Sequence, residues 1–187
     1  IKIVGSHIDS PRLDLKANPV HEKEGIVYFR THYYGGIKKY QWTTIPLALI
    51  GVVYTKSGNK VDIHIGMDEK DPVFYVSDLL IHMAQDQMKK TLAEGVTGEQ
   101  LQAIAGTHSK EGQTPKEAIM ALLKKEYGIE EEDFATAELE LVPAMKSRDV
   151  GFDRSLIASY GQDDRVCSYA NLEAILNAKP GVKTEAA

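Results

Sequence analysis

Two short stretches of the chain carry side chains able to hold a metal ion. The first is His7-Ile8-Asp9, directly after an Ile- and Val-rich start. Imidazole is a good zinc ligand, and a carboxylate two residues on can orient the ring or raise its basicity from the other nitrogen. Alone, a His-x-Asp pair is a weak signal, better read as a polar turn after a strand. The second stretch is Gly161-Gln162-Asp163-Asp164-Arg165, at the mouth of the last expected helix. Free N–H groups and the helix dipole favour carboxylates there, so Asp163 or Asp164 as a plain N-cap competes with a metal role. The combination carries more than either part. A strand-end histidine and a helix-start aspartate, far apart in sequence, are ligands that meet at the edge of an α/β sheet, where the carboxyl ends of strands collect ligands.

Those residues need elements to position them. Ile1 to Val4 suits a buried strand that ends at Gly5-Ser6. A β-rich stretch follows: Ile26 to Tyr34 is dominated by β-branched and aromatic residues and is broken by Gly35-Gly36. Leu47 to Thr55 reads as another strand, and Ser57-Gly58-Asn59-Lys60 turns the chain into Val61 to Ile65. Short strands with glycine turns predict a small barrel or sandwich. Ser77 could cap a helix carrying Leu80, Ile81 and Ala84 and ending near Gly95, with residues 95–113 as loop. Thr114-Pro115-Lys116-Glu117 is a sharper start signal: a capping Thr, Pro at the first helical position, Glu three residues after the cap. Gly128 can end that helix in a left-handed conformation. Thr136 to Val142 alternates Leu139 and Leu141 with Glu138 and Glu140, as a half-exposed strand would, and a final helix is expected from about Asp164 to Asn177.

Composition narrows the function. In 187 residues, 43% are hydrophobic and 26% charged, which suits a packed globular domain and excludes a disordered or low-complexity chain. A net charge of −5 is wrong for a general nucleic-acid binder. No apolar run approaches the ~20 residues that span a bilayer. The single cysteine, Cys167, excludes an internal disulfide and a thiolate zinc cluster, and makes a reducing cytoplasm the default. Among Val166, Ala170 and Leu172 it reads as a small buried thiol. His21, His32, His64 and His108 lie on expected strands or loops without a partner and read as structural. The opening strand without an initiator Met, and the stop soon after a helix, predict a piece of a longer protein.

Taken together, Ser6-His7-Ile8-Asp9-Ser10-Pro11-Arg12-Leu13 resembles the strand-end motif of the aspartyl aminopeptidase family of dinuclear zinc exopeptidases, in its bacterial form. Tyr34-Gly35-Gly36, Leu80-Ile81-His82-Met83 and Gly161-Gln162-Asp163-Asp164-Arg165-Val166 match in order, so the resemblance covers nearly the whole chain. The resemblance implies that His7 ligates one zinc, that Asp9 holds the imidazole and tunes the metal, and that Asp163 bridges two ions. Asp163 is preferred to Asp164 because the family's bridging aspartate comes first in the pair. It also implies that His82 reaches into a partner subunit's active site and stabilises the tetrahedral intermediate. The family's further ligands, with a glutamate general base, have no match here. Glu130-Glu131-Glu132 lacks a strand-end context and reads as a solvated acidic loop.

The expectation is therefore a partial α/β zinc-exopeptidase core, residues 1–16 and 150–187, flanking an inserted β-rich dimerisation domain, residues 17–149. The complete enzyme would remove single N-terminal amino acids, acidic ones by the family's name, from peptides. Two zinc ions would serve it, with cobalt or manganese as alternatives. A homodimer or larger homo-oligomer is implied, and neither nucleic acid nor membrane is expected as a partner. The competing expectation is a catalytically inactive oligomerisation module.

Overall fold

The computed structural model describes residues 3–179. The chain divides into two compact units, Arg12–Ala144 and Ile1–Pro11 with Met145–Ala187. The first is a β-barrel. It starts as a long hairpin, β1 (Arg12–Lys23) and β2 (Ile26–Tyr34), joined through Glu24 and Gly25. Both turn residues have positive φ, 54° and 77°, the backbone of a two-residue loop whose twist matches the strands it joins. The register slips between Leu15 and Val20, where Pro19 is buried at a bulge and has no ladder N–H to lose.

Four more strands complete the wall: β3 (Pro46–Tyr54), β5 (Phe74–Tyr75), β6 (Ala103–Gly106) and β7 (Ala137–Pro143). β3 pairs with β5, β5 with β6, β6 with β2, β2 with β1, β1 with β7, and β7 returns to β3. All of these pairings are antiparallel, and closure leaves no edge around the six-strand ring. β4 (Lys60–Ile65) extends β3 on the same side as β5. Leu13, Val27, Leu47, Val53, Ile63, Leu101 and Leu141 are sealed inside, and Phe29 stacks obliquely between Phe74 and Phe134, at 5.5 and 6.4 Å. Gly51 in β3 sits where a Cβ would lie 1.9 Å from the carbonyl oxygen of Glu138, so β7 can approach only a glycine there.

The helix expected at Thr114 forms as α1 (Pro115–Tyr127), with Thr114 and Glu117 exchanging side-chain-to-backbone bonds and Gly128 closing it at φ 69°. Other expectations give way. β1 and β6 arise where no strand was expected, because each gains a ladder on both sides from distant strands. β7 alternates as expected, with Leu139 and Leu141 buried and Glu138 exposed; it is flanked by β1 and β3, and its half-buried Glu140 is held by Arg12 at 2.9 Å. The helix expected over 77–95 is absent. Only a 3-10 turn at Ile81–Met83 and isolated turns form there, while Leu79, Leu80, Ile81, Met83, Met88 and Leu92 are exposed. An amphipathic helix draws most of its stability from a buried face, and these side chains cover nothing among the described residues.

Candidate metal centre

In the second unit, Ile3 and Val4 pair with no strand among the described residues and are exposed, so the expected opening strand is absent there; Ile1 and Lys2 lie outside those residues. A hairpin of β8 (Arg148–Val150) and β9 (Leu156–Ala158) leads into α2 (Gln162–Leu176). Gly161 caps that helix at φ 88°, a left-handed backbone that a Cβ would strain. Asp163 and Asp164 do not yet follow helical geometry, with φ/ψ of −91°/107° and −125°/37°. Their carboxylates therefore stand at the helix mouth instead of folding into its first turn.

There they meet the His7 segment. His7 Nε2 lies 2.5 Å from Asp164 Oδ2, and Nδ1 lies 3.3 Å from Asp9 Oδ1, so each ring nitrogen faces a carboxylate. One ligand atom each from His7, Asp163 and Asp164 fall within 4.8 Å of one another. One imidazole nitrogen and two carboxylates suit zinc and other divalent ions of the first transition row. Asp9 faces the other ring nitrogen, a position from which a carboxylate can fix ring and tautomer.

The two segments also hold each other by their backbones. Ser10 Oγ donates to the Asp163 carbonyl at 2.8 Å, and Ser168 Oγ donates to the His7 carbonyl at 3.2 Å. Tyr160 donates its hydroxyl to the Pro11 carbonyl at 2.7 Å. Cys167 is exposed, contrary to its apolar sequence neighbours, since no residue of α2 is buried. A hydrogen bond to the Asp164 carboxylate pushes its thiol up, with burial and the charges of Asp164 and Asp163 adding to it, so it stays protonated.

Of the residues singled out in the sequence, His7, Asp9 and Asp163 come together in this unit. Asp164, expected only as the second of the pair, is the carboxylate nearer the ring. Ser10 belongs to the first motif without a role of its own there, and Ser168 and Tyr160 carried no signal beyond lying near the second. His82 falls in the other unit, exposed in the turn Ile81–Met83. Of the remaining histidines, His32 stacks on Tyr33 at 5.7 Å, and His21, His64 and His108 join no group of metal-ligating side chains among the described residues. Glu130, Glu131 and Glu132 face solvent and pair with Lys124, Lys116 and Lys56 at 2.7, 2.5 and 2.8 Å. Two other motif residues converge inside the barrel unit: the Arg12 guanidinium bonds Asp14 and Glu140 and lies 4.0 Å over the Tyr34 ring.

Residues 1–186 match the family described as peptidase M18, aminopeptidase I zinc metalloprotease. A probable M18 family aminopeptidase 1 of Clostridium acetobutylicum is 51% identical over 187 residues, 98% of this chain and 40% of that protein. The crystal structure of an M18 aminopeptidase from Thermotoga maritima superposes with a TM-score of 0.87 at 50% identity, covering 93% of this chain and 39% of the other. The mApe1 dodecamer of S. cerevisiae shares the fold at 20% identity, with a TM-score of 0.59 over 91% of this chain and 37% of the other. The chain thus spans about 40% of the length of the curated relatives it matches. With nearly every residue covered by the family and its barrel reproduced in solved members, the chain belongs to the M18 family of aminopeptidase I zinc metalloproteases.

Proposed function

We propose that this chain is part of a cytoplasmic metalloaminopeptidase that releases single N-terminal residues, acidic ones among them, from peptides. The observation that carries the reading is the meeting of His7, Asp163 and Asp164 within 4.8 Å, across more than 150 residues of sequence. Zinc, when bound, would polarise the scissile carbonyl and acidify a water molecule. His7 and Asp163 hold it in this reading, with Asp163 shared between two ions and Asp164 beside them. Asp9 keeps the His7 ring in the tautomer that leaves Nε2 free to ligate. Three such donors leave the set open to the further ligands and the general base that the longer protein would supply.

The barrel unit would be the inserted dimerisation domain, between two pieces of an α/β catalytic core. Six large apolar side chains exposed between Leu79 and Leu92 suit burial against a second copy, and the mApe1 relative is a dodecamer. His82 lies within that stretch and would donate to the oxyanion of a partner's substrate. A single cysteine fits the reducing compartment.

The test is metal analysis and peptide hydrolysis by the full-length protein. Chelator-sensitive release of N-terminal residues, restored by zinc, cobalt or manganese, is expected, with His7→Ala and Asp163→Ala each losing metal and turnover. Wild-type turnover and metal content in both variants would overturn the assignment. A protein that self-associates but releases no residue under any of the three metals would instead be an inactive oligomerisation module.

A further inference from the structure

The hydrogen bonds between the two ligand-bearing segments are reciprocal. Ser10 lies on the His7 segment and donates to the carbonyl of Asp163, while Ser168 lies on the Asp163 helix and donates to the carbonyl of His7, at 2.8 and 3.2 Å. Each serine thus holds the main chain of the ligand on the opposite segment. Ser6 Oγ is 3.0 Å from Ser168 Oγ, and because a hydroxyl has one proton, already directed by Ser168 at His7, Ser6 donates in that pair. Serine hydroxyls beside a helix start often bond local backbone, and such bonds carry no functional meaning. These bonds instead join residues 153, 161 and 162 positions apart, and two of the three end on a ligand residue.

We propose that Ser10 and Ser168 are positioning residues of the metal centre, a two-way clamp that sets the direction of the His7 and Asp163 side chains through their main chains. The need for it follows from the packing around the centre. Within this chain the His7 side chain is 62% exposed and no residue of α2 is buried, so its own packing does little to fix the ligands. A site of this kind must hold its ligands to within roughly half an ångström. Here hydrogen bonds from two half-buried serines supply that restraint. The inference rests on the metal-centre reading above.

The experiment measures zinc affinity of the full-length protein by chelator competition, the visible spectrum of its cobalt-loaded form, and thermal unfolding of the metal-free form. Ser10→Ala, Ser168→Ala and Ser168→Thr are compared with His7→Ala. Each alanine variant is expected to bind zinc about tenfold more weakly, a typical effect of removing a group that orients a ligand. Each should also shift the cobalt band while the metal-free protein melts as wild type does, and Ser168→Thr, which keeps the hydroxyl, should restore both. Wild-type affinity and spectrum in both alanine variants, with binding lost in His7→Ala, would overturn the clamp and spare the metal centre. Wild-type binding in His7→Ala would overturn the metal centre, and the clamp with it. Weaker binding matched by a lower metal-free melting temperature, and not restored by threonine, would mark a merely structural role and also overturn the proposal.

Discussion

The barrel unit and the unit that carries the metal-ligating residues are built by different forces. In Arg12–Ala144, closure of six strands seals an interior of Leu, Val, Ile and Phe, and its polar contacts are additions to a packed core. In the other unit, Phe152, Leu156, Ile157, Val166, Tyr169 and Leu172 are all exposed, and the segments are joined by hydroxyl-to-carbonyl bonds and by the His7–Asp164 contact. The hydrophobic effect scales with apolar area removed from water, so within this chain the first unit is held by burial, while the contacts that join the segments of the second are directional and polar. One teaches where this chain packs a core of its own, and the other where its candidate ligands gather.

Substitutions that separate the two units give the largest effects. His7→Ala in the full-length protein should lower metal affinity by at least ~10²-fold, the upper range for removing a mere orienting partner, and abolish turnover. The barrel should unfold unchanged, as amide hydrogen exchange of β1 and β7 would report; a parallel loss of their protection would deny that the units are independently stabilised. Phe29→Ala probes the reverse. It removes a buried ring that touches Phe74 and Phe134 and should cost about 3–5 kcal/mol by denaturant titration. Phe152→Ala, in the other unit, should change stability by no more than about 0.5 kcal/mol, since its side chain is fully exposed. Similar costs for the two phenylalanines would erase the contrast.

His82→Ala sharpens the comparison by asking whether a barrel residue serves the chemistry. If His82 donates to a developing oxyanion, kcat should fall by about 10²–10³-fold with metal content intact, whereas a change in KM alone would contradict that role.

The smallest effect is one of pH within the barrel. Burial holds the Glu140 carboxyl above its ordinary range, with Asp14 and Glu138 adding to it and Arg12 opposing it. A carboxyl raised in the folded state binds protons more tightly there than when unfolded. Its contribution is therefore full below the unfolded pKa and is lost as pH rises through the folded value. Glu140→Gln should flatten that segment of a stability-versus-pH curve on the weakly acidic side. A wild-type slope in the variant would show that Glu140 is not its source.

Much of the candidate site was legible in the residues. His7-Ile8-Asp9 and Asp163-Asp164 offer metal donors by type and gain meaning only as a pair, whereas Thr114-Pro115-Lys116-Glu117 announces α1 by itself, because a cap is a local signal complete within four residues. The stretch 77–95 misled for the same reason. Its apolar spacing satisfies a helix locally, but a helix needs a surface to bury that face, and spacing says nothing of surfaces. β1 and β6 were illegible from the opposite side, since their strand state comes from neighbours brought up by barrel closure.

Family membership and the self-capped helix could be read from the residues alone, because both depend on side-chain chemistry and on short local patterns. Only the tertiary structure decided that the barrel closes through β3 and β7 and that Asp164 lies nearer His7 than Asp163 does. It alone brought Ser10 and Ser168 to the carbonyls of the opposite segment. Those outcomes depend on where segments separated by about 90 to 160 residues come to rest, a position set by burial in one unit and by hydrogen-bond geometry in the other.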